Sequence, residues 1–408
     1  MARMLRAALL AAALMAAFTV TGRAQAPATG AVRIGVLEDM STAMGDTFGQ
    51  GEVVAARLAV EDFGDTVLGR PVELVSADHQ SKPDVASSIA RRWLDQDGVT
   101  MITGLANSAI AIGVQGLARE RGRVTIITGS GSIDITGKQC SPTGAHWVID
   151  TYALAHAVAQ PLVQEGLDTW FYVVADITLG RSLVHDVTPV VEAGGGRVVG
   201  QTMHPLLTTD MAAPMLQAIA SHAKVVALMD VGGDAVNAIK QAAEFGLMQG
   251  GGQQLAGLYL TVTDVHAVGL ATARGIYLAE AYYGDLDDAT RAFARRYAER
   301  MSGRMPNSYQ AGVYSAVLHY LEAVRAAGTD EAGAVMVKMR ELPVEDFMTH
   351  GGKLREDGRL IRDVYLLQAK RPEEAHGEWD LLRRVATLPG EQAFRPLAES
   401  ECPLVRRH

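Results

Sequence analysis

The sequence predicts an α/β protein built from two doubly wound, Rossmann-like lobes. Short β-branched runs alternate with amphipathic stretches of helical length, and the same alternation restarts after Asp150. Strands that alternate with helices of about 10–15 residues are typical of βαβ units, in which the strands form a parallel sheet. Because no Ser/Gly-rich linker separates the two runs, we expect two lobes joined by a hinge within the 408 residues.

The first run is bounded by ordinary helix signals. Pro83 falls in the first turn of the second helix, and either Asn107 or Ser108 caps the third helix. The predicted strands are 32–38, 72–77, 99–103 and 124–128, and the predicted helices are 51–64, 83–96 and 108–121. This order predicts a parallel sheet with helices packed on it.

The second run repeats the pattern and is followed by a segment that is helical throughout. The predicted strands are 170–175, 197–203, 224–230 and 255–260, with 275–279 as a further strand or crossing segment. The predicted helices between them are 152–165, 180–192, 211–221 and 234–245. Helices near 288–301, 308–327 and 331–341 then cover one of the lobes, and strand-like runs at 360–368 and 378–385 end the pattern.

The N-terminal residues have the three-part form of a secretory signal peptide. Two arginines precede an apolar run over residues 7–20, which is too short to span a bilayer comfortably, and small residues provide cleavage sites near Ala24 or Ala26. We expect residues 1–24 to be removed and the protein to be periplasmic. The alternative is an uncleaved anchor.

Export also bears on the two cysteines. Cys140 and Cys402 are far apart in the chain, and an oxidising compartment permits them to form a disulfide. Such a bond would tie the C-terminal tail to the end of the first quarter of the chain. The alternative is a pair of unbonded, buried thiols.

Composition and motifs exclude several classes of function. The formal charge of −9 disfavours a nucleic-acid binder, which needs a basic face. The local zinc and P-loop signatures are missing, so we expect no metal and no cofactor. Residues 129–132 resemble a fragment of a hydrolase nucleophile elbow, but Thr128 stands where that motif has its first glycine. We therefore expect a protein that is not an enzyme, with a hydrolase as a remote alternative.

Polar residues follow the predicted strands at their carboxyl ends, where doubly wound sheets bind ligands. The first lobe offers a loop from residue 41 to Phe48 that includes Thr42, and it also offers Asn107, Ser108, Ser130 and Ser132. Ser108 opens a helix, whose positive end attracts a carboxylate. The second lobe offers Ile177, Thr178 and Asp264. Each serine, and the acid, has the alternative role of a helix cap or turn residue.

Four stretches carry a resemblance to a known family: 33–41, 51–63, 101–109 and 311–317. In this order, and with a signal peptide, they resemble the Leu/Ile/Val-binding type of periplasmic solute-binding proteins of ABC importers. The resemblance implies the type I periplasmic-binding fold, with three crossovers near 148–151, 274–277 and 354–360. It divides the chain into lobe 1, 31–149 plus 276–356, and lobe 2, 150–275 plus 357–400.

The resemblance also implies a function. A small ligand binds between the lobes, and the closed monomer delivers it to an ABC permease in the inner membrane. Ser108, Ser130 and Ser132, with Asn107 beside them, match the donors to a carboxylate, and Asp264 falls near the family's partner for an ammonium group. The ligand is expected to be a branched-chain or other amino acid. Alternative ligands are an amide or urea and an aromatic carboxylate, which would use Phe48, Ile177, Leu179 and Tyr283 as an apolar slot unless these residues are ordinary core packing. A sensory ligand-binding module is the alternative to transport.

Overall fold

The computed structural model describes residues 30–42, 44–248 and 252–405. The predicted signal peptide, residues 1–24, lies outside these ranges. Within them, the strands form two large sheets, one from each run of the predicted alternation. The predicted fold class, two α/β lobes of mostly parallel strands, is confirmed.

The first sheet is built around a buried parallel core. Its six strands within the described residues are β1 (Val32–Glu38), β2 (Thr66–Val67), β3 (Arg70–Asp78), β4 (Val99–Gly104), β5 (Val124–Ile127) and β6 (Gly144–His146). They lie in the order β2-β3-β1-β4-β5-β6, and only the β2–β3 pair is antiparallel. Strands β4 and β5 are buried along their whole length, as expected for central strands covered on both faces.

The second sheet takes strands from two separate parts of the chain. The first part gives β7 (Thr169–Ala175), β8 (Arg197–His204), β9 (Val225–Met229), β10 (Gln254–Gly257) and β11 (Tyr277–Glu280). A short ladder of β12 (Lys353–Leu354) and β13 (Leu360–Ile361) precedes the last two strands, β14 (Val364–Ala369) and β15 (Leu382–Leu388). The order in the sheet is β15-β14-β11-β10-β9-β7-β8, with β14 and β15 antiparallel to their neighbours.

Strand β11 bears on the predicted lobe boundary. It falls in the range 276–356 assigned above to lobe 1, but it pairs with β10 and β14 of the second sheet. The chain therefore leaves the second sheet after Glu280 rather than near 274–277. The remaining boundaries stay predictions.

Helices cover both sheets. Within the described residues they are α1 (Gly49–Phe63), α2 (Pro83–Asp95), α3 (Ser108–Glu120), α4 (Thr151–Leu154), α5 (Gln160–Gln164), α6 (Thr178–Ala193), α7 (Ala212–Ala220), α8 (Gly233–Glu244), α9 (Val262–Val268), α10 (Leu270–Ala273), α11 (Asp288–Arg300), α12 (Ser308–Ala327), α13 (Ala332–Glu341) and α14 (Gly390–Ala393). Helix α12 packs along α1, so the helical segment after β11 covers the first sheet. No helix in the described part of the chain has the length and apolar character needed to cross a membrane.

A buried arginine joins two of the chain segments that run between the sheets. Arg359 is 1% exposed, and its Nη2 donates a hydrogen bond of 2.7 Å to the carbonyl oxygen of Val148. Its Nη1 lies 3.4 Å from Asp150 Oδ2. Burial lowers the pKa of Arg359 to about 10 and raises the pKa of Asp150. The pair compensates two charges that would otherwise be buried alone.

The two cysteines form a disulfide. Cys140 and Cys402 are bonded, with their Cα atoms 5.6 Å apart and 262 positions between them in the sequence. Both side chains are buried. The bond fixes the C-terminal tail to the loop before β6, as the sequence analysis predicts.

Candidate functional site

A small cavity lies where the carboxyl ends of the two sheets meet. Its lining residues are Met44, Ala106, Asn107, Ser108, Ile177, Thr178, Leu179, Leu206, Val231 and Tyr259. The first four follow strands of the first sheet, and the others follow strands of the second. The cavity volume is about 20 Å³, which is room for about one water molecule. The cleft between the sheets is therefore nearly closed.

A larger groove adjoins this cavity and is lined from the first lobe by Ile133, Asp134 and Lys138. Its volume is about 1040 Å³, and α4, α6 and the C-terminal tail line it with Tyr152, His156, Arg181 and Arg395 among others. Thr178 lines both spaces. We assign the site to the smaller cavity because ligands of doubly wound sheets bind at the carboxyl ends of the strands.

The N-terminus of α3 contributes the first polar groups of the site. Asn107 caps the helix, and its Oδ1 accepts hydrogen bonds from the backbone N–H groups of Ala109 at 3.0 Å and Ile110 at 3.3 Å. Ser108 is 5% exposed, and its hydroxyl has no hydrogen-bond partner among the described residues. Asn107 therefore caps α3, and the hydroxyl of Ser108 is the group that is available to a ligand.

Ser130 and Ser132 are fully buried and are engaged within the fold. Ser130 Oγ donates to the carbonyl oxygen of Leu105 at 2.5 Å, and the carbonyl oxygen of Ser130 lies 2.6 Å from His146 Nε2. Ser132 Oγ accepts from the backbone N–H of Asp134 at 3.3 Å. Neither serine lines the cavity. The histidine contacts the carbonyl rather than the hydroxyl of Ser130, which is not the arrangement of an activated nucleophile.

Two other predicted residues of the first lobe, Thr42 and Phe48, are not among the residues that line the cavity. Thr42 Oγ1 donates to Asp39 Oδ2 at 2.8 Å. Phe48 is fully buried and packs against Tyr309, with ring centroids 5.0 Å apart. Tyr309 in turn stacks on Tyr259 at 5.2 Å, so three aromatic rings continue from the first lobe to the cavity.

Tyr259 is a site residue that the sequence analysis missed. It follows β10, and its hydroxyl donates a hydrogen bond of 2.6 Å to the carbonyl oxygen of Gly129 in the first lobe. A Cβ at Gly131 would lie 2.8 Å from both Leu179 and Tyr259, so glycine is needed where the two lobes touch. The signal in the sequence was an aromatic residue at the carboxyl end of a predicted strand.

The predicted residues of the second lobe divide into two groups. Ile177 and Thr178 line the cavity at the start of α6. Asp264 instead closes a capping box at α9, where its Oδ2 accepts from the backbone N–H of Thr261 at 2.8 Å and from its hydroxyl at 2.7 Å. Burial raises the pKa of Asp264 to about 6. Its carboxylate therefore stabilises the N-terminus of α9 and is not among the residues that line the cavity.

A buried histidine and two carboxylates lie at the same edge of the second sheet. His204 Nε2 is 2.7 Å from Asp230 Oδ1, and His204 Nδ1 is 3.9 Å from Asp234 Oδ2. Burial by itself lowers the pKa of His204, but the hydrogen bond with Asp230 raises it overall, and burial raises the pKa of Asp234 to about 6. In the described part of the chain these three are the one group spaced to hold a metal ion. Both imidazole nitrogens already face oxygen atoms, since Nδ1 is also 2.9 Å from the carbonyl oxygen of Pro205.

Comparison with known proteins agrees with the fold. The sequence matches the periplasmic binding protein family over residues 31–376. Among solved structures, a periplasmic binding protein from Burkholderia mallei is 41% identical, with 93% of this chain and 100% of that chain covered and a TM-score of 0.89. A branched chain amino acid ABC transporter periplasmic ligand-binding protein from Burkholderia xenovorans is 40% identical, with 92% and 100% covered and a TM-score of 0.84.

A more distant structure shares the fold alone. A solute-binding protein of R. palustris, in complex with benzoate, is 20% identical, with 92% of this chain and 100% of that chain covered and a TM-score of 0.81. A search of curated proteins gave no match. The chain belongs to the periplasmic binding protein family, as the sequence resemblance indicates. Members of this family are solute-binding proteins of ABC transporters, which are not enzymes.

Proposed function

We propose that this chain captures a small carboxylate between its two lobes and delivers it to the permease of an ABC importer. Ser108 carries the proposal. Its buried hydroxyl lacks a partner among the described residues, lines the interlobe cavity and stands at the N-terminus of α3. A helix N-terminus offers unpaired N–H groups and a partial positive charge, so a carboxylate there would gain both a hydroxyl donor and a favourable field.

The closed cleft supports a cycle of capture and release. Residues from both lobes line a cavity that holds little more than a water molecule, and Tyr259 bonds to Gly129 across the cleft. A ligand of several atoms enters only when the lobes separate about their crossovers, and it then favours the closed form. We expect the closed form, as a monomer, to dock on the permease.

The lining of the cavity bears on the class of ligand. An amino acid needs a partner for its ammonium group, but the lining residues include no carboxylate, and Asp264 is engaged at α9. This observation favours a second candidate, an apolar or aromatic acid that has no ammonium group. Tyr259, Leu179 and Ile177 give such a ligand an apolar contact surface.

A thermal-shift screen of the refolded mature protein tests both candidates. The compounds are leucine, benzoate, short amides and urea. A ligand at 100 times its Kd adds about 2.7 kcal/mol to the free energy of unfolding, which is visible as a shift in Tm. A shift with benzoate but not with leucine supports the aromatic acid; a shift with leucine supports the amino acid. Binding of amides or urea alone would contradict a carboxylate site.

The variant Ser108→Ala tests the residue that carries the proposal. We expect it to weaken binding of the best compound by about 1–3 kcal/mol, the usual value of a hydrogen bond to a charged group. Ser88→Ala, on the exposed face of α2, is the matched control and is expected to bind like the wild type. Equal affinity of Ser108→Ala and wild type in calorimetry would refute the assignment.

Export is tested separately from ligand binding. We expect the periplasmic fraction to contain a chain that begins at Gln25, after cleavage at Ala24, and N-terminal sequencing of that fraction reads the start directly. Cleavage at Ala26 would shift the first residue to Pro27. A chain that keeps Met1 and sediments with membranes would contradict the proposed signal peptide.

A further inference from the structure

Two glutamates lie buried behind the loop that presents Ser108. Glu38 ends β1, and Glu52 lies in the first turn of α1; both are 0% exposed. Glu38 Oε2 accepts from the backbone N–H of Asp39 at 2.9 Å. Glu38 Oε1 and both carboxyl oxygens of Glu52 have no hydrogen-bond partner of ordinary geometry among the described residues. Burial of two ionised carboxylates costs free energy unless a proton or a cation neutralises their charge.

No cation faces the pair in the described part of the chain. The titratable groups that surround it are Asp39, the imidazole of His79, and the phenols of Tyr259 and Tyr297. His79 Nε2 lies 3.9 Å from Glu38 Oε2. Its Nδ1 accepts from the backbone N–H of Ser81 at 3.1 Å, which places the ring proton on Nε2 and leaves the ring neutral. Burial also lowers the pKa of His79.

Burial raises the pKa of both carboxyl groups. The pKa of Glu38 is raised to about 8, although the backbone N–H groups of Asp39 and Ala106 favour its ionised form. The pKa of Glu52 is raised well above its ordinary value by burial and by the charge of Glu38. Both carboxyl groups are thus protonated at neutral pH, and Glu38 is the member that ionises first.

Both carboxyl groups converge on the start of the loop 104–107. A Cβ at Gly104 would lie 2.9 Å from Glu38 Oε1 and 2.9 Å from Glu52 Oε2, so glycine makes room for the pair. The next residue, Leu105, is not a glycine and yet has φ +68°, a conformation that persists only when its surroundings hold it. Leu105 is held by its N–H bond to Leu37, and its neighbour Ala106 directs its N–H toward Glu38.

We propose that Glu38 and Glu52, as protonated carboxyl groups, act as positioning residues that hold the loop 104–107, and that ionisation of Glu38 loosens this loop and weakens ligand binding. The loop leads directly into Asn107 and Ser108, so a displacement of Ala106 moves the N-terminus of α3. Because no cation faces Glu38 among the described residues, its ionisation leaves an uncompensated buried charge beside the loop and disfavours this packing. That negative charge behind the N-terminus of α3 also opposes an anionic ligand. The effect on affinity rests on the proposed function, whereas the protonation of the pair and the hold on the loop do not.

The test uses the full mature chain without ligand. Infrared difference spectra over a pH titration report protonated carboxyl groups by their C=O stretch. Wild type is expected to lose such a band near pH 8, and Glu38→Gln, which is isosteric and neutral, is expected to lack that component. Glu61→Gln, on the exposed face of α1, is the control and is expected to keep it. If the band near pH 8 is the same in Glu38→Gln as in wild type, the proposed protonation of Glu38 is refuted.

Hydrogen exchange of the Leu105 and Ala106 amides tests the hold on the loop. Protection factors, which are corrected for the intrinsic pH dependence of exchange, are expected to fall roughly tenfold in wild type as the pH passes the titration, a change that corresponds to one pKa unit. In Glu38→Gln they are expected not to depend on pH. Loss of the infrared band with unchanged protection would show that the ionisation of Glu38 does not affect the loop, and it would overturn the proposal.

Calorimetry with benzoate and with leucine gives the functional readout. For whichever compound binds, Kd is expected to rise across the titration in wild type and in Glu61→Gln but not in Glu38→Gln. If neither compound binds at any pH, the proposed function fails, and the infrared and exchange measurements still decide the role of the pair. A Kd with the same pH dependence in wild type and Glu38→Gln would refute the link to binding.

Discussion

Tyr259 donates a hydrogen bond of 2.6 Å to the carbonyl oxygen of Gly129, and these two residues belong to opposite lobes. The bond lies beside the interlobe cavity and is buried. Because the bond joins the two lobes across the cleft, we expect it to break when the lobes separate and so to stabilise the closed form. Ligand capture and this bond therefore favour the same conformation.

Tyr259→Phe is expected to shift the protein toward the open form. The loss of one buried hydrogen bond costs about 1 kcal/mol, which lowers ligand affinity by roughly fivefold. Small-angle X-ray scattering measures the opening, and calorimetry measures the affinity. Tyr283→Phe is the matched control, because that hydroxyl bonds to the carbonyl oxygen of Trp379 away from the cleft. An opening that is equal in the two variants would refute the role of Tyr259.

Ser108→Ala and Ser130→Ala are expected to have different effects on stability. Ser108 buries a hydroxyl without a partner, so its removal leaves the free energy of unfolding unchanged or raises it while ligand affinity falls. Ser130→Ala leaves the carbonyl oxygen of Leu105 without its donor and is expected to cost about 1–3 kcal/mol. Urea denaturation of both variants measures these changes. Destabilisation by Ser108→Ala comparable to that of Ser130→Ala would show that Ser108 is structural.

Reduction of the Cys140–Cys402 disulfide is expected to destabilise the protein. A cross-link over 262 positions limits the unfolded chain, and in the chain-entropy model its loss costs on the order of 5 kcal/mol. The free energy of unfolding with and without a reducing agent measures the effect. The variant with both cysteines replaced by serine is the control, and the reducing agent should change nothing in it. Equal stability of the oxidised and reduced wild type would contradict the prediction.

The sequence predicts the elements of this fold better than the contacts between them. The strand over residues 32–38 is found with the predicted bounds, because a β-branched run in a buried strand is a local pattern. Asn107 is found as a helix cap for the same reason. Strand β6, with three residues, is too short for any periodicity to show.

The parts of the site that could not be predicted depend on distant parts of the chain. Tyr259 bonds to a residue 130 positions away, and only the packing of the two lobes brings them together. Glu52 occupies the first turn of an amphipathic helix, where an acid ordinarily faces solvent and stabilises the helix dipole. Its burial follows from the packing of α12 on α1, which no local pattern indicates.

The stability of the protein is expected to depend on pH through Glu280. This residue ends β11, and its carboxylate accepts from the backbone N–H of Val262 at 2.8 Å and from the N–H and hydroxyl of Ser308. Burial raises the pKa of Glu280 from 4.5 to about 7, more than these hydrogen bonds lower it. Between these two values the folded protein keeps a proton that the unfolded chain has lost. The free energy of unfolding therefore falls as the pH rises from about 4.5 to about 7, and the contribution is constant above that range.

Glu280→Gln isolates this contribution from those of the other buried groups. The amide does not titrate, so the difference in unfolding free energy between wild type and variant is expected to change by on the order of 3 kcal/mol between pH 4.5 and pH 7. Urea denaturation at intervals across this range measures the difference. The control is Glu244→Gln, an exposed residue at the end of α8, whose difference from wild type is expected to stay flat. Parallel pH profiles for wild type and Glu280→Gln would contradict the prediction. They would show that Glu280 has the same protonation state in the folded and the unfolded protein, so that its buried carboxyl group is ionised in the folded protein.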